Sequence, residues 1–161
     1  MELFSQTLNS TRQSIDVAED AVIDFSRRAG LAETESARLG LAVREIFTNA
    51  VVHGNQYDAS KKVLLQVGWS AAHMIVVVSD EGRGFDAGSV PDPLTPDGLL
   101  RASGRGILLA RKLVDEFYIR TGDEGGTRIT LVKYLLSSAT ELRVVAVPQS
   151  SGHTGPTNTT R

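Results

Sequence analysis

The stretch Asp80-Glu-Gly-Arg-Gly84 is the most informative part of the sequence for the fold. It places a carboxylate and two glycines shortly after the apolar run Met74-Ile-Val-Val-Val78. That run predicts a buried strand, and the alternation from Val63 to Trp69 predicts its hairpin partner. A carboxylate at the end of a buried strand is placed to accept a hydrogen bond from an exocyclic amine of a base, and nearby glycines let the backbone approach a flat ring. The motif alone is also compatible with a tight turn that uses Asp and Gly only for geometry.

Two helices are predicted ahead of these strands. Residues 2–8 predict a short strand, and Ser10-Thr-Arg-Gln13 is typical of a capping box that opens a helix. Apolar residues at helical spacing follow as far as a stop at Gly30. A second helix is predicted from near Thr34 to Gly54, and its core stripe consists of Leu39, Val43, Ile46 and Ala50.

Two polar residues share one face of the second predicted helix. Glu45 and Asn49 are spaced i, i+4, and that face lies beside the apolar stripe. Asn is a poor residue for a helix interior, but its side-chain oxygen suits Mg²⁺, a hard ion that prefers oxygen ligands. A carboxylate one turn away is placed to take a proton from a nucleophile. The alternative is a solvated face with ordinary i, i+4 contacts.

A third glycine motif, Gly104-Arg-Gly106, opens another predicted helix. Free N–H groups and the positive end of the helix dipole make such a position suitable for phosphate. It is not the P-loop pattern, because no Gly-Lys-Ser/Thr follows. The stretch 85–103 before it contains Pro91, Pro93 and Pro96 and predicts a long loop, and loops of that length are usually functional.

Beyond this helix, strands are predicted near residues 116–121 and 127–134, around a turn that ends in Gly125-Gly-Thr127. Residues 140–147 are compatible with one further strand. Residues 148–161 contain Ser, Thr, Gly, Pro and Gln without an aliphatic anchor, which predicts a disordered tail.

Composition limits the classes that these motifs can belong to. The 161 residues predict a single domain that buries a core without staples, and there is no cysteine. Seventeen basic and 19 acidic residues give a net charge of -2, which indicates no nucleic-acid or membrane surface. No signal peptide and no apolar run of membrane length is found. The expectation is a soluble, cytoplasmic protein.

In this order and spacing, the motifs resemble those of the GHKL-type ATPases, the superfamily of gyrase, histidine-kinase and mismatch-repair ATP-binding domains. The resemblance covers residues 1–136 and is greatest to the small bacterial anti-sigma-factor serine/threonine kinases. It implies an α/β (α+β) fold. The expected form is a two-layer sandwich in which a mixed, mostly antiparallel sheet lies under about three helices.

The resemblance also implies roles for individual residues. It implies that Glu45 is the catalytic base, that Asn49 binds Mg²⁺ beside ATP, and that Asp80 binds adenine. Residues 85–103 match the ATP lid. The other implied nucleotide-binding residues shape the base pocket, bind phosphate or support the aspartate; they are Gly82, Gly84, Gly104, Arg105, Gly106 and Thr127.

The sequence contains no dimerisation and phosphoacceptor helix pair ahead of these motifs, which favours the anti-sigma branch over a sensor kinase. The implied function is to phosphorylate an anti-anti-sigma-factor-like partner and to bind a sigma factor, with a homodimer formed through the N-terminal strand. Two alternatives remain open. One is a non-catalytic module in which ATP orders the lid and creates a protein-binding surface. The other is a histidine-kinase-like ATP domain acting in trans, whose product would be acid-labile.

Overall fold

The computed structural model describes residues 2–84 and 105–135. The predicted lid at 85–103, the predicted phosphate-binding Gly104, the extension at 137–147 and the tail at 148–161 lie outside the described residues. The strands of the described part are β1 (Glu2–Asn9), β2 (Lys62–Trp69), β3 (His73–Asp80), β4 (Glu116–Thr121) and β5 (Thr127–Tyr134).

These strands form one sheet in the order β1-β2-β3-β5-β4, and every pairing between them is antiparallel. The sequence predicted a mixed, mostly antiparallel sheet. Tight connections from β2 to β3 and from β4 to β5 produce antiparallel pairs directly. Because β3 lies beside β5, with Ser79 opposite Arg128, the end of β3 at Asp80 meets the start of β5 at Thr127.

Helices α1 (Arg12–Arg28), α2 (Glu33–Thr48) and α3 (Arg105–Leu113) cover one face of the sheet. None of these described helices is long and apolar enough to cross a membrane. Each fully buried aliphatic side chain stabilises the fold by roughly 1.5–3 kcal/mol. The core between the two layers includes the predicted stripe and alternate strand residues: Leu39, Val43, Ile46, Ala50, Val63, Leu65, Val67, Met74, Val76 and Val78.

The N-terminus of α1 differs from the predicted capping box. Thr11, not Ser10, is the N-cap, and its Oγ1 accepts a hydrogen bond from the Ser14 backbone N–H at 3.3 Å. The Ser10 hydroxyl instead donates to the Lys61 carbonyl at 2.7 Å. Ser10 is therefore part of a buried network, and the local cap falls to the next hydroxyl residue.

The second predicted helix does extend to Gly54, but its last part is not α-helical. Residues Asn49–Gly54 form a π-helical turn that continues α2. The turn closes with a hydrogen bond from the Asn55 N–H to the Ala50 carbonyl at 2.7 Å. π-Helical turns are rare and occur frequently at functional sites. This turn begins at Asn49, one helical turn after Glu45, and ends at Gly54, whose backbone lies against Asp80 at the end of β3.

Candidate functional site

The Asp80 carboxylate lies at the end of β3, and the residue is only 6% exposed. Its Oδ1 accepts hydrogen bonds from the Gly82 N–H at 2.9 Å and the Thr127 N–H at 3.1 Å. Burial raises the pKa of the Asp80 carboxyl, although these two hydrogen bonds and the charge of Lys61 oppose the shift. Because both hydrogen bonds end on Oδ1, the second oxygen is the one positioned to accept from a ligand.

Glycine backbones surround this carboxylate. A Cβ at Gly54 would lie 2.6 Å from Asp80 Oδ2, and one at Gly126 would lie 2.0 Å from the Asp80 carbonyl oxygen. Gly82 lies against the Gly54 backbone and Gly84 against that of Gly126, where an added Cβ would meet carbonyl oxygens at 2.5 and 2.6 Å. Side chains at these positions would push the strand end and the glycine loops apart, so the pocket depends on bare backbone.

Glu45 lies close to the start of α3. A Cβ at Gly106 would lie 2.5 Å from Glu45 Oε2, so the carboxylate lies against the bare backbone at position 106. The N-terminus of a helix presents free N–H groups and a partial positive charge. The contact therefore places Glu45, a candidate proton acceptor, beside the start of α3, a candidate phosphate-binding helix end.

Asn49 is half-buried one turn after Glu45, and its backbone N–H donates to the carbonyls of Glu45 and Ile46. Its side-chain Oδ1 is buried and has no hydrogen-bond partner among the described residues. A buried amide oxygen without a partner costs free energy, and a ligand that bonded to it would remove that cost. An oxygen donor of this kind fits Mg²⁺, which commonly takes one or two protein oxygens together with phosphate oxygens.

The predicted residues thus fall into two groups that the π-helical turn connects. In one group, Glu45 contacts Gly106 and Asn49 follows Glu45 by one helical turn, and Arg105 is exposed at the start of α3. The other group consists of Asp80 with Gly82, Gly84 and Thr127, at the end of the turn that carries Gly54. Thr127 reaches the aspartate through its backbone N–H. Gly104 lies outside the described residues.

Sequence reasoning assigned no contact with Asp80 to Gly54 or Gly126, yet both backbones touch this residue. It missed Asn55, whose side-chain amide is buried and accepts from the N–H of Glu81 at 2.8 Å. Close approach of glycines is signalled by their clustering, whereas nothing local marks Asn55 as buried.

Comparison with known proteins identifies the family to which the chain belongs. Residues 4–133 match the family described as Histidine kinase-like ATPase domain. The chain therefore belongs to the histidine kinase-like ATPases, the GHKL-type family that its motifs resemble. The fold and the family predicted from the sequence are confirmed.

Two named relatives are a serine-protein kinase and an anti-sigma F factor. The chain is 32% identical over 114 residues to the serine-protein kinase RsbW of Bacillus subtilis, covering 67% of this chain and 70% of the relative. It is 32% identical over 128 residues to the anti-sigma F factor of Bacillus thuringiensis, covering 78% and 88%. A crystal structure of the RsbU and RsbW domains of a Mycobacterium tuberculosis protein superposes with a TM-score of 0.59 at 21% identity, over 83% of this chain and 32% of that longer chain. That structure supports the fold.

Proposed function

We propose that this protein is a Mg²⁺- and ATP-dependent serine/threonine-protein kinase that also acts as an anti-sigma factor. The single observation that carries the proposal is the contact between the Glu45 carboxylate and Gly106 at the start of α3. It brings a proton acceptor to the helix end where a terminal phosphate would bind. Membership of the ATPase family and the 32% identity to a serine-protein kinase and to an anti-sigma F factor support the assignment.

The proposed reaction transfers the γ-phosphoryl group of ATP to a hydroxyl. Glu45 takes the proton of a serine or threonine hydroxyl as that oxygen bonds to the γ-phosphorus. The bond between the γ-phosphorus and the bridging oxygen breaks, and ADP leaves with that oxygen. Such transfers depend mainly on positioning and on stabilising charge. The N–H groups at the start of α3, near Gly106 and Arg105, supply part of that stabilisation.

Asn49 would hold the metal ion through Oδ1, the buried oxygen that has no partner among the described residues. Bound Mg²⁺ would neutralise charge on the phosphate oxygens. The backbone N–H of Asn49 donates to the Glu45 carbonyl, so the proposed metal ligand lies one helical turn after the proposed base.

Adenine would bind at Asp80. Its carboxylate would accept a hydrogen bond from the exocyclic amine of the base, while Oδ1 stays fixed by the N–H groups of Gly82 and Thr127. Gly82 and Gly84 would shape the base pocket, and Gly104 would bind phosphate with Gly106. Residues 85–103 would serve as the lid over the nucleotide.

The proposed protein partners are an anti-anti-sigma-factor-like substrate and a sigma factor, in a circuit where phosphorylation of the substrate decides which one is bound. We also propose a homodimer formed through β1. This strand pairs only with β2 among the described strands, and Leu3 on it is 69% exposed. Light scattering should then give a mass twice that of one chain, and a concentration-independent single-chain mass would contradict the dimer.

The test is transfer of labelled γ-phosphate from Mg-ATP by the purified protein to proteins of its own source cells. The proposal predicts an acid-stable label on one small protein. An acid-labile label would instead indicate a histidine-kinase-like domain acting in trans. ATP binding without any label would indicate a non-catalytic ATP-gated binding module.

A further inference from the structure

Asn55 makes an unusually complete set of buried hydrogen bonds directly after the π-helical turn. The residue is 1% exposed. Its Nδ2 donates to Ser10 Oγ at 2.9 Å and to the Lys62 carbonyl at 2.8 Å, and its Oδ1 accepts from the Glu81 N–H at 2.8 Å. The amide orientation follows from these partners, because the Lys62 carbonyl can only accept and the Glu81 N–H can only donate.

The hydrogen bond to Glu81 acts on the peptide unit that follows Asp80. The Glu81 N–H and the Asp80 carbonyl belong to that one planar unit. Asn55 holds its N–H, and the backbone of Gly126 lies against its carbonyl oxygen, where an added Cβ would be 2.0 Å away. The peptide unit between Asp80 and Glu81 is thus contacted at its N–H by Asn55 and at its carbonyl oxygen by Gly126. The direction of the Asp80 side chain depends on the orientation of this peptide unit.

The two residues that follow Asn55 have an unfavourable backbone conformation. Gln56 and Tyr57 have φ values of 52° and 57°, in the left-handed region that non-glycine residues rarely adopt. The Tyr57 N–H donates to the Val51 carbonyl at 3.0 Å and so ties these two residues back to the π-helical turn. Strained backbone of this kind persists only where surrounding contacts determine it, and it is concentrated at functional sites.

We propose that Asn55 is a positioning residue for nucleobase recognition: through the Glu81 N–H it sets the direction of the Asp80 carboxylate toward the base. The inference rests on the proposed function, in which Asp80 accepts from the adenine amine. Asn55 does not itself touch the nucleotide in this account. Its loss would therefore weaken the contact at the exocyclic amine, while contacts to phosphate and metal, located near Glu45 and Gly106, remain.

The measurement that separates positioning from a purely structural role is the affinity for ATP relative to ITP, measured by calorimetry. The two nucleotides differ at the 6-position, which is an amine in ATP and a carbonyl in ITP, so only ATP donates there to Asp80. The wild-type protein should prefer ATP. In Asn55→Ala that preference should fall by about tenfold, since a misdirected carboxylate loses a charge-assisted hydrogen bond, and ITP affinity should change little.

Ser10→Ala is the matched control. Ser10 is 3% exposed and belongs to the same network, but it bonds to Asn55 Nδ2 and the Lys61 carbonyl rather than to Glu81. It should lower the thermal midpoint and keep the ATP preference. Asn55→Asp retains an acceptor for the Glu81 N–H and should also keep the preference. Asn55→Ser replaces the alanine variant if that variant does not fold, with the same loss of preference expected.

The outcomes are distinct. A lost preference in Asn55→Ala with a retained preference in Ser10→Ala supports the inference. An unchanged preference in Asn55→Ala (or in Asn55→Ser, where it replaces that variant), or an equal loss in Ser10→Ala, overturns it, because the amide is then only structural. A wild-type protein that binds ATP and ITP equally overturns the adenine role of Asp80, and the inference with it.

Discussion

Glu45 Oε2 lies so close to the backbone of Gly106 that a Cβ at position 106 would meet it at 2.5 Å. This contact joins the end of α2 to the start of α3. It also explains why the second residue of this helix has no side chain: the carboxylate occupies the space that a side chain would take. The predictions below test what this contact and the Asp80 pocket do.

Gly106→Ala should slow phosphoryl transfer more than it weakens ATP binding. The new methyl group would displace the Glu45 carboxylate, and a misplacement of about 1 Å can cost up to about 100-fold in rate. The backbone N–H groups at the helix start are retained, so ATP affinity measured by calorimetry should change only a few-fold. Gly68→Ala is the control, because its nearest contacts would be at 3.6 Å. Equal rates for both variants would show that the contact has no catalytic role.

Asn49→Ala should weaken the effect of Mg²⁺ on ATP affinity without lowering the stability of the nucleotide-free protein. Removing a buried amide oxygen that has no partner among the described residues relieves a desolvation cost of about 1–3 kcal/mol. The nucleotide-free variant should therefore unfold at an equal or higher temperature, although it loses some packing. Its ATP affinity should respond less to added Mg²⁺. Thr48→Ala is the control, because the Thr48 hydroxyl bonds to the Arg44 carbonyl; an unchanged Mg²⁺ effect in Asn49→Ala would remove Asn49 from the metal site.

Asp80→Asn should shift the nucleotide preference from ATP toward ITP. Asn keeps an oxygen for the N–H groups of Gly82 and Thr127 but presents an amide NH₂ where the carboxylate had an acceptor. ATP affinity should fall by roughly 10- to 100-fold, the loss expected for a hydrogen bond to a charged group. ITP affinity should hold or rise, because NH₂ donates to the 6-carbonyl. Competition binding measures both, and unchanged ATP affinity would place the base elsewhere.

The pH dependence of stability follows from the same carboxyl group. Burial raises the pKa of Asp80 above that of the unfolded chain, which is about 3.9. The folded state then binds more protons between the two pKa values, so the contribution of Asp80 to stability is fully present below the unfolded pKa. It is lost as pH rises through the folded pKa. Asp80→Asn cannot titrate, so its stability relative to the wild-type protein should increase with pH through that window, as measured by urea unfolding. A difference independent of pH would contradict the raised pKa.

Much of the fold followed from local sequence patterns. Strands β4 and β5 were predicted at residues 116–121 and 127–134, and the structure places them at Glu116–Thr121 and Thr127–Tyr134. Alternation and glycine turns are local signals, which is why these bounds were predictable. The π-helical character of Asn49–Gly54 was not predicted, because a segment of 6 residues is too short for its period to be told from that of an α-helix.

The site was predictable where its signal was a motif and not where it was a long-range contact. The family resemblance implied that Thr127 supports Asp80, and the pairing of β3 with β5 brings the Thr127 N–H within hydrogen-bond distance of that carboxylate. The cap at Thr11 was misassigned to Ser10 because the true partner of Ser10 is Lys61, which is far away in sequence. Asn55 was missed for the same reason, since its partners Ser10 and Glu81 come from distant segments.

The most direct test of the central claim is the rate of γ-phosphate transfer to the partner protein by Glu45→Gln at saturating Mg-ATP. Gln keeps the size of Glu45 but cannot accept a proton, and general-base catalysis contributes about 100- to 10,000-fold. The account predicts a fall of that order with ATP affinity changed only a few-fold, while Asp24→Asn, an exposed carboxylate on α1, transfers at the wild-type rate. Transfer by Glu45→Gln at the wild-type rate would contradict the account.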